Sequence, residues 1–143
     1  MKKDVMIYIK GIRDIDGDKD TVELYTKGRY YRRNGMYFLS YDEMEEDDIE
    51  PTIKTIVKVD GTKCVTMTKS GKRKSQLIIE NGERHQCHYD NGYDDWIMGI
   101  EGSGIENDLK DNGGVLNFRY SMDINTMLTS EHEINIVVKE CEN

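Results

Sequence analysis

His85 and Cys87 are the residues best suited by type and spacing to bind a transition metal. Residues two positions apart on a β-strand point to the same face, so these two side chains would lie side by side. A zinc site typically has four ligands, and the others would have to come from Cys64, Cys141 or His132. We treat the pair as a weak metal candidate beside the simpler interpretation that both are ordinary strand residues near a surface turn.

A run of alternating acidic residues from Asp14 to Asp20 is similar in spacing to the start of a calcium-binding loop. Alternate carboxylates can surround a hard cation, but such a loop requires glycine at its sixth position and glutamate at its twelfth. Counted from Asp14, these positions hold Lys19 and Tyr25. We therefore interpret the run as a turn-rich connector with at most weak affinity for cations.

Cations and aromatic residues interleave between Arg29 and Tyr37, and further cations flank a turn between Lys69 and Lys74. A single-strand nucleic-acid binder uses such a combination. The formal net charge of -8 opposes this function, because affinity for polyanions depends on basic residues that release counterions from phosphates. Alternation also sends Tyr30 and Tyr31 to opposite faces. We expect no nucleic-acid partner.

Sequence motifs of catalysis are absent. The chain has no Gly-x-Ser-x-Gly elbow, Walker loop or dinucleotide fingerprint, and Gly102-Ser103-Gly104 lacks the spacing of an elbow. An enzyme of unknown class that uses His85, His88 or clustered carboxylates is kept as a third hypothesis, and we predict no cofactor.

Apolar and aromatic residues of the later strands could line a ligand cavity, because thioethers and aromatic rings suit apolar ligands. The alternative is that they fill the core. A barrel of about eight strands is just wide enough for either arrangement, so both stay open. The candidate lumen residues are Met67, Trp96, Met98, Phe118, Tyr120 and Met122.

Composition and periodicity predict an all-β protein that positions these side chains. Ile and Val total 23 residues, Leu contributes 6 and Ala none, and β-branched side chains suit a pleated sheet. An AT-rich genome would bias composition the same way, so two-residue alternation has to decide. Alternation predicts strands near 5–9, 22–30, 36–44, 53–59, 63–69, 74–80, 83–90, 93–102, 115–125 and 134–138.

Turn signals connect these strands into hairpins. Asn34-Gly35 is the strongest, because both central residues of a type I′ turn need a positive φ. Asp60-Gly61, Ser70-Gly71, Asn81-Gly82 and Asn91-Gly92 follow at intervals of about ten residues. The sequence therefore predicts one domain over residues 1–143, an antiparallel meander β-barrel of about 8–10 strands that leaves no open edges.

The cellular location is also predicted from the chain. Residues 1–15 contain no apolar signal segment, and no run approaches the roughly 18 apolar residues of a membrane span. The three cysteines are an odd number at wide spacing, which fits a compartment that keeps thiols reduced. We expect a cytoplasmic protein without a membrane partner.

The chain resembles the YwiB-like family of small bacterial proteins of unknown function. The resemblance rests on the stretches 26–31, 34–43, 54–59, 69–71 and 116–124, which read TKGRYY, NGMYFLSYDE, KTIVKV, KSG and LNFRYSMDI. It implies a calycin-like or lipocalin-like β-barrel and supplies no functional residue. The stretch 91–95 departs from the Pro-Tyr-Gly expected there.

Two functional hypotheses follow from these patterns. The leading one is a binding protein that holds a small, partly apolar ligand in the barrel or at its mouth. The alternative is an interaction module that presents the acidic loop from Asp42 to Glu50, or a barrel face, to a basic protein partner. The sequence is compatible with a monomer or a homodimer.

Overall fold

The computed structural model describes residues 2–45, 47–90, 95–124 and 126–141. These residues form one closed barrel of ten antiparallel strands, in which each strand pairs with its neighbours in sequence and β1 pairs with β10. The predicted all-β meander barrel is thereby confirmed. The strands are β1 (Lys3–Ile15), β2 (Asp18–Arg33), β3 (Met36–Glu43), β4 (Ile53–Asp60), β5 (Cys64–Gly71), β6 (Lys74–Glu80), β7 (Arg84–Asp90), β8 (Asp95–Lys110), β9 (Gly113–Ile124) and β10 (Met127–Glu140).

Two-residue alternation builds the core. On β4, for example, Ile53, Thr55, Val57 and Val59 are buried, whereas Lys54 and Lys58 are exposed. The same alternation on the other strands sends one apolar row inward, and burial of that row drives folding. The fully buried side chains include Val5, Ile7, Tyr30, Val57, Val65, Ile79, Ile100, Leu116, Phe118 and Ile136.

The β8–β9 hairpin folds across one end of the barrel, which we call the capped end. The Tyr30 hydroxyl donates a hydrogen bond of 2.8 Å to the carbonyl of Lys110. The Tyr37 hydroxyl donates one of 3.0 Å to Asp111, and Asn107 donates one of 2.9 Å to the carbonyl of Gly61. These bonds join the hairpin to β2, β3 and the β4–β5 turn, so the barrel is closed at this end.

The turns follow the predicted chemistry with two corrections. The turn predicted at Ser70-Gly71 lies two residues too early, because β5 runs through Gly71 and the chain bends at residues 72 and 73. Asn34 and Gly35 have φ values of 53° and 77°, as the predicted type I′ turn requires. The connector predicted over Asp14 to Asp20 is wrong, because Asp16 and Gly17 alone make a second such turn, with φ values of 52° and 87°. Strands β1 and β2 therefore extend to the turn itself.

A bulge at two glycines bends β8, and the strand is longer than the alternation indicated. The register shifts between Gly102 and Gly104, and a Cβ atom at Gly102 would lie 2.6 Å from the Glu80 carbonyl oxygen. Beyond this bulge β8 continues to Lys110 because it stays paired with β9. In the same way β10 begins at Met127, well before the predicted start.

Among the described residues, no helix is long and apolar enough to cross a membrane. The predicted turn at Asn91-Gly92 lies outside the described residues.

Candidate functional site

His85 and Cys87 share the inward face of β7, as predicted, but each is held by groups other than a metal. The His85 Nε2 atom lies 3.0 Å from Glu80 Oε1. Cys87 is 4% exposed, and its Sγ atom accepts a hydrogen bond of 3.3 Å from the Ile78 N–H. Burial raises the pKa of the Cys87 thiol, which disfavours the thiolate that binds metals. In the part of the chain that is described, no group of three or more His, Cys, Asp or Glu residues is arranged to hold a metal ion.

The predicted lumen residues separate into three groups. Met67, Phe118 and Tyr120 belong to the packed core, and each is at most 8% exposed. Met98 and Met122 lie on inward positions of β8 and β9, farther from the capped end. Trp96 is 43% exposed, because it is the second residue of β8 and lies where that strand begins.

The interior near the capped end is packed. An apolar cavity there has a volume of only about 10 Å³, about the minimum for a single water molecule. None of the predicted lumen residues lines it. This part of the barrel therefore has no room for a ligand. The cavity is lined by Tyr30, Tyr37, Phe38, Leu39, Val57, Val59, Leu109, Leu116, Ile136 and Val138.

A larger space lies toward the opposite end, where the long strands β8, β9, β10, β1 and β2 run side by side. It has a volume of about 400 Å³, and most of its lining side chains occupy the outward positions of their strands. We call it the acidic groove, because its carboxylates outnumber its basic groups. Its lining residues are Ile12, Asp14, Lys19, Glu101, Ser103, Arg119, Tyr120, Ser121, Glu131, His132 and Glu133.

Strand register explains how these side chains meet. In the β1–β10 pair Asp14 lies opposite Glu131, and in the β10–β9 pair Glu133 lies opposite Arg119. Paired residues on antiparallel strands point to the same side, so the charged groups form rows across the outer face of the sheet. Alternation in the sequence predicts the face on which each residue lies, but it does not predict the register that sets these residues opposite one another.

Tyr120 and His132 occupy inward positions beside the acidic groove. Their rings stack with centroids 4.8 Å apart, and Ser130 Oγ lies 2.8 Å from His132 Nε2. Burial, and secondarily the positive charge of Arg13, lower the pKa of His132, while burial raises the pKa of Tyr120 to about 12. Both side chains are therefore neutral at pH 7.

The Ser130–His132 pair was missed by the sequence analysis, although alternation on β10 gives both residues the same face. A hydroxyl next to an imidazole has two of the three parts of a catalytic triad. Among the described residues no carboxylate forms a hydrogen bond with His132 to orient its ring. The arrangement is therefore incomplete for nucleophilic catalysis.

Asp14 has a structural role in addition to lining the acidic groove. Its Oδ1 atom accepts a hydrogen bond of 2.9 Å from the Gly17 N–H, which fixes the β1–β2 turn. A second space of about 250 Å³ continues from the groove to this turn and is lined by Asp14, Asp16, Gly17, Thr129, Ser130 and Glu131. The carboxylates of the turn thus extend the negative surface of the groove.

Part of the acidic loop from Asp42 to Glu50 is neutralised within the molecule. Three of its carboxylates contact cations of the β5–β6 hairpin, so these three are not free to attract a basic partner. Hydrogen bonds lower the pKa of Asp48 to about 2, and the bond from the Thr52 hydroxyl contributes most to this shift. The ion pairs join Glu43 with Lys69 at 2.7 Å, Glu45 with Arg73 at 2.8 Å and Asp48 with Lys72 at 3.0 Å.

The segment of interleaved cations and aromatic residues is also committed to the fold. Arg29 pairs with Asp4 at 3.1 Å, and Tyr30 is 1% exposed in the core. Tyr31 stacks on Phe38 with ring centroids 4.9 Å apart. Because its rings pack in the core or on each other, this segment does not present the row of free aromatic faces on which bases stack.

A closed antiparallel meander with a packed end and a surface groove defines the class as a small β-barrel protein. The chain belongs to the family of the domain of unknown function DUF1934, whose model matches residues 7–136. It is 24% identical over 132 residues to the uncharacterized beta-barrel protein YwiB of Bacillus subtilis (strain 168). The aligned region covers 92% of this chain and 90% of the relative.

The three-dimensional comparison agrees with the sequence comparison. The crystal structure of the ywiB protein from Bacillus subtilis matches with a TM-score of 0.85 and 24% identity, over 99% of this chain and 94% of that chain. The predicted resemblance to YwiB is confirmed, and at this identity the structural match supports the fold alone. The chain is thus a small β-barrel protein of a bacterial type.

Proposed function

We propose that the protein binds a small organic cation, an amine or polyamine with a short apolar part, in the acidic groove. The observation that carries the proposal is the groove itself, whose volume of about 400 Å³ falls within the range typical of small-molecule sites. The sequence analysis favoured a small, partly apolar ligand in the barrel or at its mouth. The present proposal differs in two respects: the site lies on the outer face, and the ligand is positively charged.

The charge of the ligand follows from the lining. Asp14, Glu101, Glu131 and Glu133 contribute four carboxylates, whereas Lys19 and Arg119 contribute two cations. The lowered pKa of His132 keeps that residue from adding a positive charge at pH 7. A concave surface with an excess of one sign concentrates ligands of the opposite sign, so the groove favours a cation.

Two of the carboxylates are available to such a ligand. In the described part of the chain, neither Glu101 nor Glu131 forms an ion pair. Glu133 accepts a single hydrogen bond of 3.2 Å from the Asn117 side chain. An ammonium or guanidinium group could therefore form charge-assisted hydrogen bonds in the groove without displacing an internal partner.

Two further observations indicate that the ligand has an apolar part and that it is an organic molecule instead of a metal ion. Ile12 and Tyr120 line the groove together with the charged residues. The groove is far larger than a bare metal ion, and no metal-binding cluster exists among the described residues. An extended amine fills such a space better than a single ion does.

The packed interior weighs against carriage of a ligand inside the barrel in the lipocalin manner, since the cavity near the capped end measures about 10 Å³. The internal ion pairs of the Asp42–Glu50 loop likewise weigh against the alternative of an acidic docking loop. We also propose a cytoplasmic location, which the free thiols of Cys64, Cys87 and Cys141 support.

Isothermal titration calorimetry with spermidine and agmatine tests the proposal, with succinate as the anionic control. We expect saturable binding of at least one amine and none of succinate. A Glu131→Gln variant should bind about two- to fivefold more weakly, as the loss of one partly exposed charge pair predicts. A Glu83→Gln variant, matched in chemistry but located in the β6–β7 turn, should bind as the wild type does.

Two results would contradict the proposal. One is the absence of binding by either amine at millimolar concentration. The other is an equal loss of affinity in the Glu131→Gln and Glu83→Gln variants, because a general effect of net charge would act at both sites.

A further inference from the structure

Strand β2 has two parts with different partners. Residues 28–33 pair with β3 on one side and, as far as Tyr30, with β1 on the other. Among the described residues, the segment Asp18–Lys27 pairs with β1 alone. We call this segment the free edge, and it departs from the prediction that the barrel leaves no open edges. At about 3.4 Å per residue it extends for about 30 Å, and within the described part of the chain the backbone groups on its outer side have no partner strand.

Most side chains of the free edge are also exposed, whereas Leu24 and Thr26 are half-buried. Val22 is 69% exposed and Tyr25 is 72% exposed, which are high values for apolar residues in a sheet. A long exposed edge of this kind is a template for another strand, because each unpaired N–H and C=O group can join a new ladder.

The sequence of the free edge is complementary to itself. Consider two copies related by a twofold axis perpendicular to the sheet. Residues on the same face of the two edges then lie opposite each other, and the residue on the twofold axis defines the register. Centring on Asp20 or Glu23 places like charges directly opposite. Centring on Thr21 places Lys19 of each copy opposite Glu23 of the other and pairs two threonines, both favourable cross-strand contacts.

We propose that the free edge pairs antiparallel with the free edge of a second copy of this chain, with Thr21 at the twofold axis. The resulting homodimer joins two barrels into one continuous sheet across β2. Two edge strands bury little area, so the association is weak and depends on concentration. The proposal does not rest on ligand binding in the acidic groove, although Lys19 belongs both to the free edge and to the lining of the groove.

Sedimentation velocity across a concentration series tests the dimer. We expect a shift toward twice the monomer mass of 16.6 kDa as concentration rises toward the millimolar range. The Glu23→Lys and Lys19→Glu variants should each remain monomeric, because each places like charges opposite. The Lys19→Glu/Glu23→Lys double variant restores opposite charges and should dimerise again.

Single cysteines test the register in a Cys64→Ser/Cys141→Ser background. Directly opposite residues of an antiparallel pair have Cα atoms about 4.5–5.5 Å apart, within reach of a disulfide. With oxidised glutathione as the oxidant, Thr21→Cys should form a covalent dimer, whereas Val22→Cys and Glu23→Cys should not. Circular dichroism establishes that each variant is folded.

Several outcomes would overturn the proposal. If the protein is monomeric at every concentration, the proposed dimer does not form. If it assembles into species larger than a dimer, the contact is not a closed twofold pair. A dimer that tolerates Glu23→Lys does not use this edge. A disulfide formed faster by Val22→Cys or Glu23→Cys excludes the register centred on Thr21.

Discussion

Arg84 on β7 holds Asp123 on β9 across the intervening strand β8, with hydrogen bonds of 2.9 Å from Nε and 2.7 Å from Nη2. The guanidinium passes over Gly99, where a Cβ atom would lie 2.2 Å from the nearest guanidinium nitrogen. The absence of a side chain at Gly99 therefore allows a bidentate ion pair between strands that are not neighbours. The hydrogen bonds from Arg84 lower the pKa of Asp123.

We expect Gly99→Ala to displace the Arg84 side chain and lower the free energy of unfolding by about 1 kcal/mol, the value of a well-formed ion pair near the surface. In an Arg84→Ala background the same change meets no guanidinium and should be neutral or slightly stabilising, because alanine restricts the unfolded chain more than glycine does. Urea unfolding of the four proteins measures the difference. An equal cost in both backgrounds would show that Gly99 serves another purpose.

Asp48 should make stability sensitive to acid. Its carboxylate accepts hydrogen bonds from Thr52, Glu45 and Lys72, and these lower its pKa from 3.8 to about 2. Because the folded pKa lies below the unfolded one, this stabilisation is complete above about pH 4 and is lost as the pH falls to about 2.

Urea midpoints measured between pH 4 and pH 2 test this dependence. An Asp48→Asn variant should lose less stability across that window than the wild type does. A Thr52→Val variant, which removes the largest contribution to the pKa shift, should fall between the two. Identical slopes for all three proteins would mean that the loop does not stay folded around Asp48.

His132 should titrate below its ordinary pKa of 6.5, because burial and the nearby charge of Arg13 disfavour the imidazolium. Since the folded pKa is the lower one, protonation destabilises the protein as the pH falls below 6.5. Nuclear magnetic resonance of the ring protons measures the midpoint directly. An Arg13→Gln variant should raise it, and an unchanged or lower midpoint in that variant would refute the contribution of Arg13.

Cys87 should be the least reactive of the three thiols. It is 4% exposed and its pKa is raised by burial, whereas Cys64 and Cys141 are partly exposed. In native buffer we expect Cys87 to react with an aromatic disulfide reagent at least about tenfold more slowly than the others, since it must await local opening of the barrel. Peptide mass spectrometry identifies the labelled residue, and equal rates at all three would contradict the packed interior.

Much of the fold could be predicted from local patterns. The alternation on β4 places Val57 and Val59 in the core without reference to any other strand, and Asn34-Gly35 defines its hairpin from two residues. Strand lengths could not be predicted in the same way. β8 passes the glycines at 102 and 104 because hydrogen bonds to β9 continue beyond them, and such pairing depends on residues distant in sequence.

The sequence by itself determined which residues alternate, where the tight turns form and that the surface is acidic, because these properties depend on neighbouring residues and composition. Only the tertiary structure decided what the charges do. It paired three carboxylates of the Asp42–Glu50 loop with cations of the β5–β6 hairpin, and it gathered Asp14, Glu101 and Glu131 from three strands into one groove. The physical reason is that electrostatic interactions depend on distance in space, and barrel closure brings together groups that are far apart along the chain.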